Sequence, residues 1–180
     1  MLTPENFLQV KANAALRSEL TILDAPAPAR LAPYALSYLG EIEQDHAFAD
    51  SRIVLMFNPA GDPSWNATTR IVLFVKSEVE DELAEEPLIL EIGWQWLTET
   101  LEKFDAHPLD LSGTVTRTSS KGYGSIDEHS PSSIEIRASW SAVDELKLAN
   151  HLTAWSEVVC LTAGLSGLEP GVTQLRSKSK

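Results

Sequence analysis

The sequence predicts an α+β domain: a single domain with one mainly antiparallel sheet of about five strands and helices packed on one face. Three observations carry this. The runs RIVLMF (52–57) and RIVLFV (70–75) are continuous, apolar and rich in β-branched residues, the composition of strands covered on both faces. The segment SSIEIRASW (132–140) alternates Ile134, Ile136, Ala138 and Trp140 with Glu135, Arg137 and Ser139, the pattern of a half-buried strand. Leu90, Trp94, Leu97, Leu101 and Phe104 step by four and three, which is one face of a helix.

Taken along the chain, the elements fall in the order α-β-β-β-α-β-β-α. Thr3-Pro4-Glu5 reads as an N-cap, a first helical residue and an acidic first turn. Phe7, Val10 and Ala14, with Leu16 and Leu20 beside them, extend that helix over 4–20. DAPAPARLAP (24–33) holds three of its prolines spaced so that no helix continues. YALSYLGEIE (34–43) fits either period, and its aromatic content favours a strand. The connection over 59–69 carries Pro, Gly and Asp turn residues and places Trp65 on a loop. SEVEDELAEEP (77–87) is a solvated acidic connector or a helix start, with a metal or partner site as the alternative. After the strand at 132–140, Ser141 with Asp144 is positioned to cap a last helix with the stripe Leu148, Leu152, Trp155 and Val159. Gly164, Gly167 and Pro170 end it.

LSGTVTRTSSKGYGS (111–125) has the glycines, lysine and hydroxyls of a phosphate loop. Its spacing is wrong for one. Lys121 precedes Gly122 and Gly124, no helical stripe follows, and no third glycine completes a dinucleotide fingerprint. Thr114, Thr116 and Thr118 alternate with Val115 and Arg117 instead, which is strand spacing, and Lys121–Gly124 becomes the loop after it.

The chain has 180 residues and a net charge of −12, and three of its 14 basic residues lie in the last five. Those five, 176–180, read as a solvated, disordered basic tail on a domain spanning 1–175. An acidic body repels a phosphate backbone, so direct nucleic-acid binding is not expected, whereas acidic proteins do dock on other proteins. No run reaches the ~18 apolar residues of a membrane helix, and the start MLTPENFLQV lacks the form of a signal peptide. The single cysteine, Cys160, forms no disulfide within the chain and suits a cytoplasmic location.

Catalytic constellations are not found. His46, His107, His129 and His151 lack the i, i+4 pairing of zinc proteases and read as surface residues. Cys160 lies among apolar neighbours as an inert buried thiol. GLSG (164–167) falls one residue short of a nucleophile elbow and matches a helix C-cap. No cofactor or metal is implied. Arg70, Arg117 and Arg137 lie at or inside strands, where a guanidinium needs acceptors. Their partners are structural carboxylates such as Glu135 or the acids of 78–86, or else an anionic ligand. Trp94, Trp140 and Trp155 lie on apolar stripes and read as core, while Trp65 and Trp96 are candidates for a pocket or partner surface. The candidate ligand-binding residues are therefore Trp65, Arg70, Trp96, Arg117 and Arg137.

APARLAPYA (27–35), RIVLMFNPAG (52–61), GWQWLTETL (93–101), SGTVTRTSS (112–120) and IEIRASWS (134–141) occur in an order that resembles an actinobacterial domain-of-unknown-function family, number three thousand of its catalogue. The likeness covers about 5–173. GDPSWNATT departs from the family pattern at Ala67, where the family has glycine. The resemblance implies an actinobacterial cytoplasmic protein, encoded beside a ribonuclease-D-like exonuclease and near haem-synthesis genes, and it carries over no catalytic residue. The order of elements is also similar to that of type III secretion chaperones, small acidic dimers that bind other proteins. A non-enzymatic interaction module, chaperone-like and dimeric, is the leading expectation. The alternatives are a small-molecule binder or enzyme with an Arg/Trp-lined pocket, and an accessory factor of an RNA-processing nuclease.

Overall fold

A computed structural model describes residues 1–125 and 131–167. His129 and the basic tail at 176–180 lie outside the described residues. The fold is α+β, built on one six-stranded antiparallel sheet. Strands β1 (Thr21–Asp24), β2 (Tyr34–Gln44), β3 (Ala47–Asp62), β4 (Ala67–Val79), β5 (Pro108–Thr118) and β6 (Ser132–Ala142) lie in the order β1-β2-β3-β4-β6-β5. Helices α1 (Pro4–Leu8), α2 (Asp81–Glu85), α3 (Ile89–Lys103) and α4 (Leu148–Thr162) complete it. The segment at 34–43 is a strand, as its aromatics favour, and β1 is a sixth strand that the sequence did not announce.

The register assigns every strand residue to a face. Tyr38, Ile53, Leu73 and Ala138 share one cross-strand row, and so do Leu36, Leu55, Ile71 and Trp140. This face carries the helices. Ile53, Leu55, Phe57, Ile71, Leu73, Val75, Ile136 and Trp140 are buried there with Leu97 and Leu101 of α3 and Leu152, Trp155 and Val159 of α4. Each aliphatic side chain so buried contributes about 1.5–3 kcal/mol. Phe7 of α1 packs on Phe57 at 5.4 Å between ring centroids.

The two apolar runs differ in cover: in β3 the outward Met56 is buried along with Ile53, Leu55 and Phe57, whereas the run in β4 is covered on one face. In β4 the odd positions 71–77 are buried, Arg70 and Phe74 are half-buried, and Val72 and Lys76 are exposed. A continuous apolar run thus serves a one-sided strand here, its outward Val72 and Phe74 left on a sheet face without a helix. β3 and β4 also run further than expected, to Asp62 and from Ala67, so the 59–69 loop shrinks to a hairpin turn.

The helix expected over 4–20 stops after Leu8, and a 3-10 turn at Val10–Asn13 follows. Beyond it, α4 supplies the acceptors a helix would have found in itself. Ala15 N–H donates to Thr153 Oγ1 (3.0 Å) and Arg17 N–H to Ser156 Oγ (3.2 Å). The Arg17 guanidinium is buried between Glu157 (2.7 Å) and Glu19 (2.6 Å), and Lys103 reaches Glu157 at 3.1 Å. The hydrogen bond from Glu19, then that from Glu157, hold the Arg17 guanidinium protonated more firmly than in water.

In α3 the buried face is Ile89, Gly93, Leu97, Thr100 and Leu101, rotated by about one residue from the expected stripe, so Leu90 is exposed and Trp94 half-buried. Glycines explain the rotation. A Cβ on Gly93 would stand 2.8 Å from Ile134 Cδ1 and 2.9 Å from Val115 Cγ1, and one on Gly113 would stand 2.9 Å from the Trp94 ring. The helix therefore approaches β5 and β6 with its glycine inward. Ser141 belongs to β6 rather than to a cap. Asp144 accepts from Leu146 N–H and starts a 3-10 turn, and α4 follows at Leu148. Gly164, at φ +80°, ends α4 as the glycine spacing predicts.

Candidate functional site

The open face of the sheet, away from the helices, carries no helix; Arg52, Val72, Lys76 and Arg137 are exposed on it, while Ser37, Met56 and Ser141 are buried. β2 and β3 run antiparallel with β4 and β6 beside them, so the outward side chains form rows. The first row is Ala35, Met56, Arg70 and Ser141. The second is Ser37, Val54, Val72, Ser139 and Ser112. Leu39, Arg52, Phe74, Arg137 and Thr114 make the third. A fourth row of Glu41, Asp50, Lys76, Glu135 and Thr116 follows, and Glu43, Phe48, Glu78, Ser133 and Thr118 close the series.

Charge divides along this series. The first three rows hold three arginines and no carboxylate, while the last two hold Glu41, Glu43, Asp50, Glu78 and Glu135 against one lysine. Arg70 donates to Ser139 Oγ at 2.7 Å. Arg52 donates to Ser37 Oγ at 3.0 Å and to the Pro26 carbonyl at 2.8 Å. Arg137 lies 5.5 Å over the Phe74 ring and pairs with Glu135 at 2.6 Å across the charge boundary. No ion pair involves Arg52 or Arg70 among the described residues; their anchors are neutral, so each keeps its full charge for an incoming anion. A shallow concavity of about 470 Å³ lies here, over Val72, Phe74, Ser112, Thr114, Arg137 and Ser139.

The sequence candidates divide between the two faces. Arg70 and Arg137 stand on the open face, two rows apart. Trp65, half-buried, sits in the β3–β4 turn, where its carbonyl accepts from Ser141 Oγ (3.0 Å), beside the row of Arg70. Arg117 pairs with Ile134 on the helix-covered face and donates to the Ala84 carbonyl of α2 at 3.0 Å. Among the described residues its acceptor is a backbone oxygen rather than a carboxylate. Trp96 is half-buried on α3, also on the covered side. The structure therefore brings Trp65, Arg70 and Arg137 to one half of one face and removes Arg117 and Trp96 from it. Arg52 was missed. Its signal was present, because both apolar runs open on an arginine and an antiparallel pair places those two at opposite ends of a shared patch.

The remaining titratable groups are structural. His151 is buried rather than surface-exposed and accepts from Trp140 Nε1 at 3.0 Å through Nδ1. Burial lowers its pKa to about 4, with a smaller push from His107. Burial raises the Cys160 thiol to about 12, which leaves no nucleophilic thiolate. No group of three metal-ligating side chains occurs among the described residues. No described helix is long and apolar enough to cross a membrane.

The family model described as Protein of unknown function (DUF3000) matches residues 3–173. The chain belongs to that family. No curated protein and no solved structure matches it.

Proposed function

We propose that this DUF3000 chain is a non-enzymatic, cytoplasmic protein-interaction module that docks a partner on the arginine half of its open sheet face. One observation carries the reading: in a chain of net charge −12, the uncovered half-face bearing Arg52, Arg70 and Arg137 has no carboxylate, and its floor is Val54, Val72 and Phe74. Apolar contact area with arginines around it is the composition of binding hot spots. The occupant it fits is a protein segment bearing carboxylates next to an apolar anchor. Two copies face to face would set arginine against arginine, which favours a different partner over a homodimer through this face.

The test is capture from the organism's own soluble extract with the wild-type chain and with the Arg70→Ala/Val72→Ser variant. A stoichiometric protein retained by the first and lost by the second supports the reading. Equal recovery by both, or no partner for a strictly monomeric chain, counts against it.

The concavity supports a second reading, a binder of small carboxylates with apolar bodies, held by Arg137 over Val72 and Phe74. Calorimetric titration with benzoate and with indole-3-acetate separates the two, since an interaction module binds neither.

A further inference from the structure

The two edges of the sheet differ. β1 is an edge of four residues. β5 is an edge of eleven, and between Ser112 and Thr118 every residue but Val115 is exposed. On an outermost antiparallel strand, alternate residues turn their N–H and C=O away from the sheet, leaving a template for another strand. Among the described residues no backbone hydrogen bond is made to the outer side of Ser112–Thr118.

Proteins blunt such edges with proline, lysine, bulges or inward charges. β5 has three of these devices: Pro108 and a bulge at its start, where Asp110 takes φ +52° and the register with β6 shifts between Leu109 and Ser112, and the inward-facing Arg117 near its end. From Ser112 onward the pairing with Ser139–Ser133 is regular, without proline or lysine, and the edge is flat and available. Its side chains are hydroxyls on the open face, Ser112, Thr114, Thr116 and Thr118, which pair well across strands.

Charge selects the occupant. Residues 111–125 contain Arg117 and Lys121 and no carboxylate, in a chain with 26 acidic and 14 basic residues. Arg137, the neighbour of Thr114 on β6, adds a third cation beside the edge. The concavity reaches the edge at Ser112, Gly113 and Thr114. The geometry points to β5 as a strand-addition site that takes an extended, acidic segment of another protein as the seventh strand of the sheet. This rests on the reading of the chain as a docking module and adds where the partner's backbone lies. Main-chain hydrogen bonds along Ser112–Thr118 supply affinity, and carboxylates flanking Arg117, Lys121 and Arg137 supply selection.

The experiment is amide hydrogen exchange on the full chain with a capped nonapeptide of alternating Glu with Thr or Val, and with the same peptide carrying Lys for Glu. The acidic peptide slows exchange across Ser112–Thr118 by tenfold or more, and the lysine peptide does not. Thr116→Asp, on an exposed side chain at this edge, weakens the acidic peptide about tenfold and leaves the melting temperature in place. The Arg70→Ala/Val72→Ser variant keeps the protection, which separates failure of the edge from failure of the face. Absence of protection in Ser112–Thr118, equal protection by the lysine peptide, or protection that grows with protein concentration alone, as pairing of two copies would give, each overturns the proposal.

Discussion

The two faces of the sheet are made by the same strands and obey different constraints. On the covered face, Ile53, Leu73 and Ile136 meet α3 and α4 with no exposed area to spare, and polar groups are paired, as Ser77 Oγ to Thr162 Oγ1 at 2.8 Å, with Trp155 Nε1 an exception that finds no partner among the described residues. On the open face the adjacent residues Arg52, Val72, Phe74 and Arg137 stay partly or wholly exposed, and Arg52 and Arg70 are satisfied by serines and a carbonyl. The covered face is built for stability, and a change there costs folding free energy. On the proposed reading, a change on the open face costs binding instead. That separation can be tested one substitution at a time.

The largest effect belongs to Glu157→Ala. Glu157 is 1% exposed and receives both Arg17 and Lys103. Removing it leaves the buried Arg17 guanidinium with Glu19 as its remaining counter-ion and destabilises the chain by up to about 3–5 kcal/mol. Urea unfolding measures this, and a loss below about 1 kcal/mol would show that the network is solvated in solution.

The next effect is a pH dependence. His151 is neutral in the fold, with a pKa near 4 against an ordinary 6.5. Between those values the unfolded chain binds the proton and the folded chain refuses it. Stability is therefore complete above pH 6.5 and declines as pH falls toward 4, by up to about 3 kcal/mol. Unfolding midpoints of wild type and His151→Gln across that range check it; parallel pH profiles for the two would remove His151 as the cause.

Gly113→Ala follows. The new methyl would sit 2.2 Å from the Arg137 carbonyl oxygen and 2.9 Å from the Trp94 ring, so β5 must shift, at a cost of about 1–3 kcal/mol. Thermal unfolding reads it, and an unchanged melting temperature would mean that β5 gives way freely at this seam.

The smallest stability effect is expected of Arg70→Ala/Val72→Ser, within about 0.5 kcal/mol, because neither side chain fills the core. A larger loss would erase the distinction between the faces. Unchanged stability with lost partner capture would sharpen it.

The sequence showed β3, β4, β6 and the helix stripe of α4 clearly, since hydrophobic period is a local property, whereas β2 fitted either period and β1 went unread. It concealed what depends on distant chain. The residues over 14–20 have a helical pattern, yet their N–H groups go to Thr153 and Ser156, almost 140 residues away. The face of α3 turns because Gly93 and Gly113 permit closeness that a period count does not weigh. His151 looked polar and exposed until Trp140 supplied its hydrogen bond. Of the candidate site, the sequence names Arg70, Arg137 and Trp65, but it does not tell that the two arginines share one face of the sheet. Which face each strand arginine takes follows from register alone: Arg117 and Arg137 are both odd-numbered, yet β5 pairs Arg117 with Ile134 and sends it to the opposite side.

The bond between Arg17 and Glu157 also fixes an order of events. Its partners are 140 residues apart, and the segment around Arg17 has no regular structure of its own to hold it meanwhile. Closing so long a loop yields nothing until α4 exists. On a ribosome, which delivers the N-terminus before α4, the stretch around Ala15 and Arg17 must wait through synthesis of the whole sheet before it can dock on α4. The chain's beginning is thus among the last parts to fold, and the amides of Ala15 and Arg17 should be late to gain protection in a refolding pulse-label experiment.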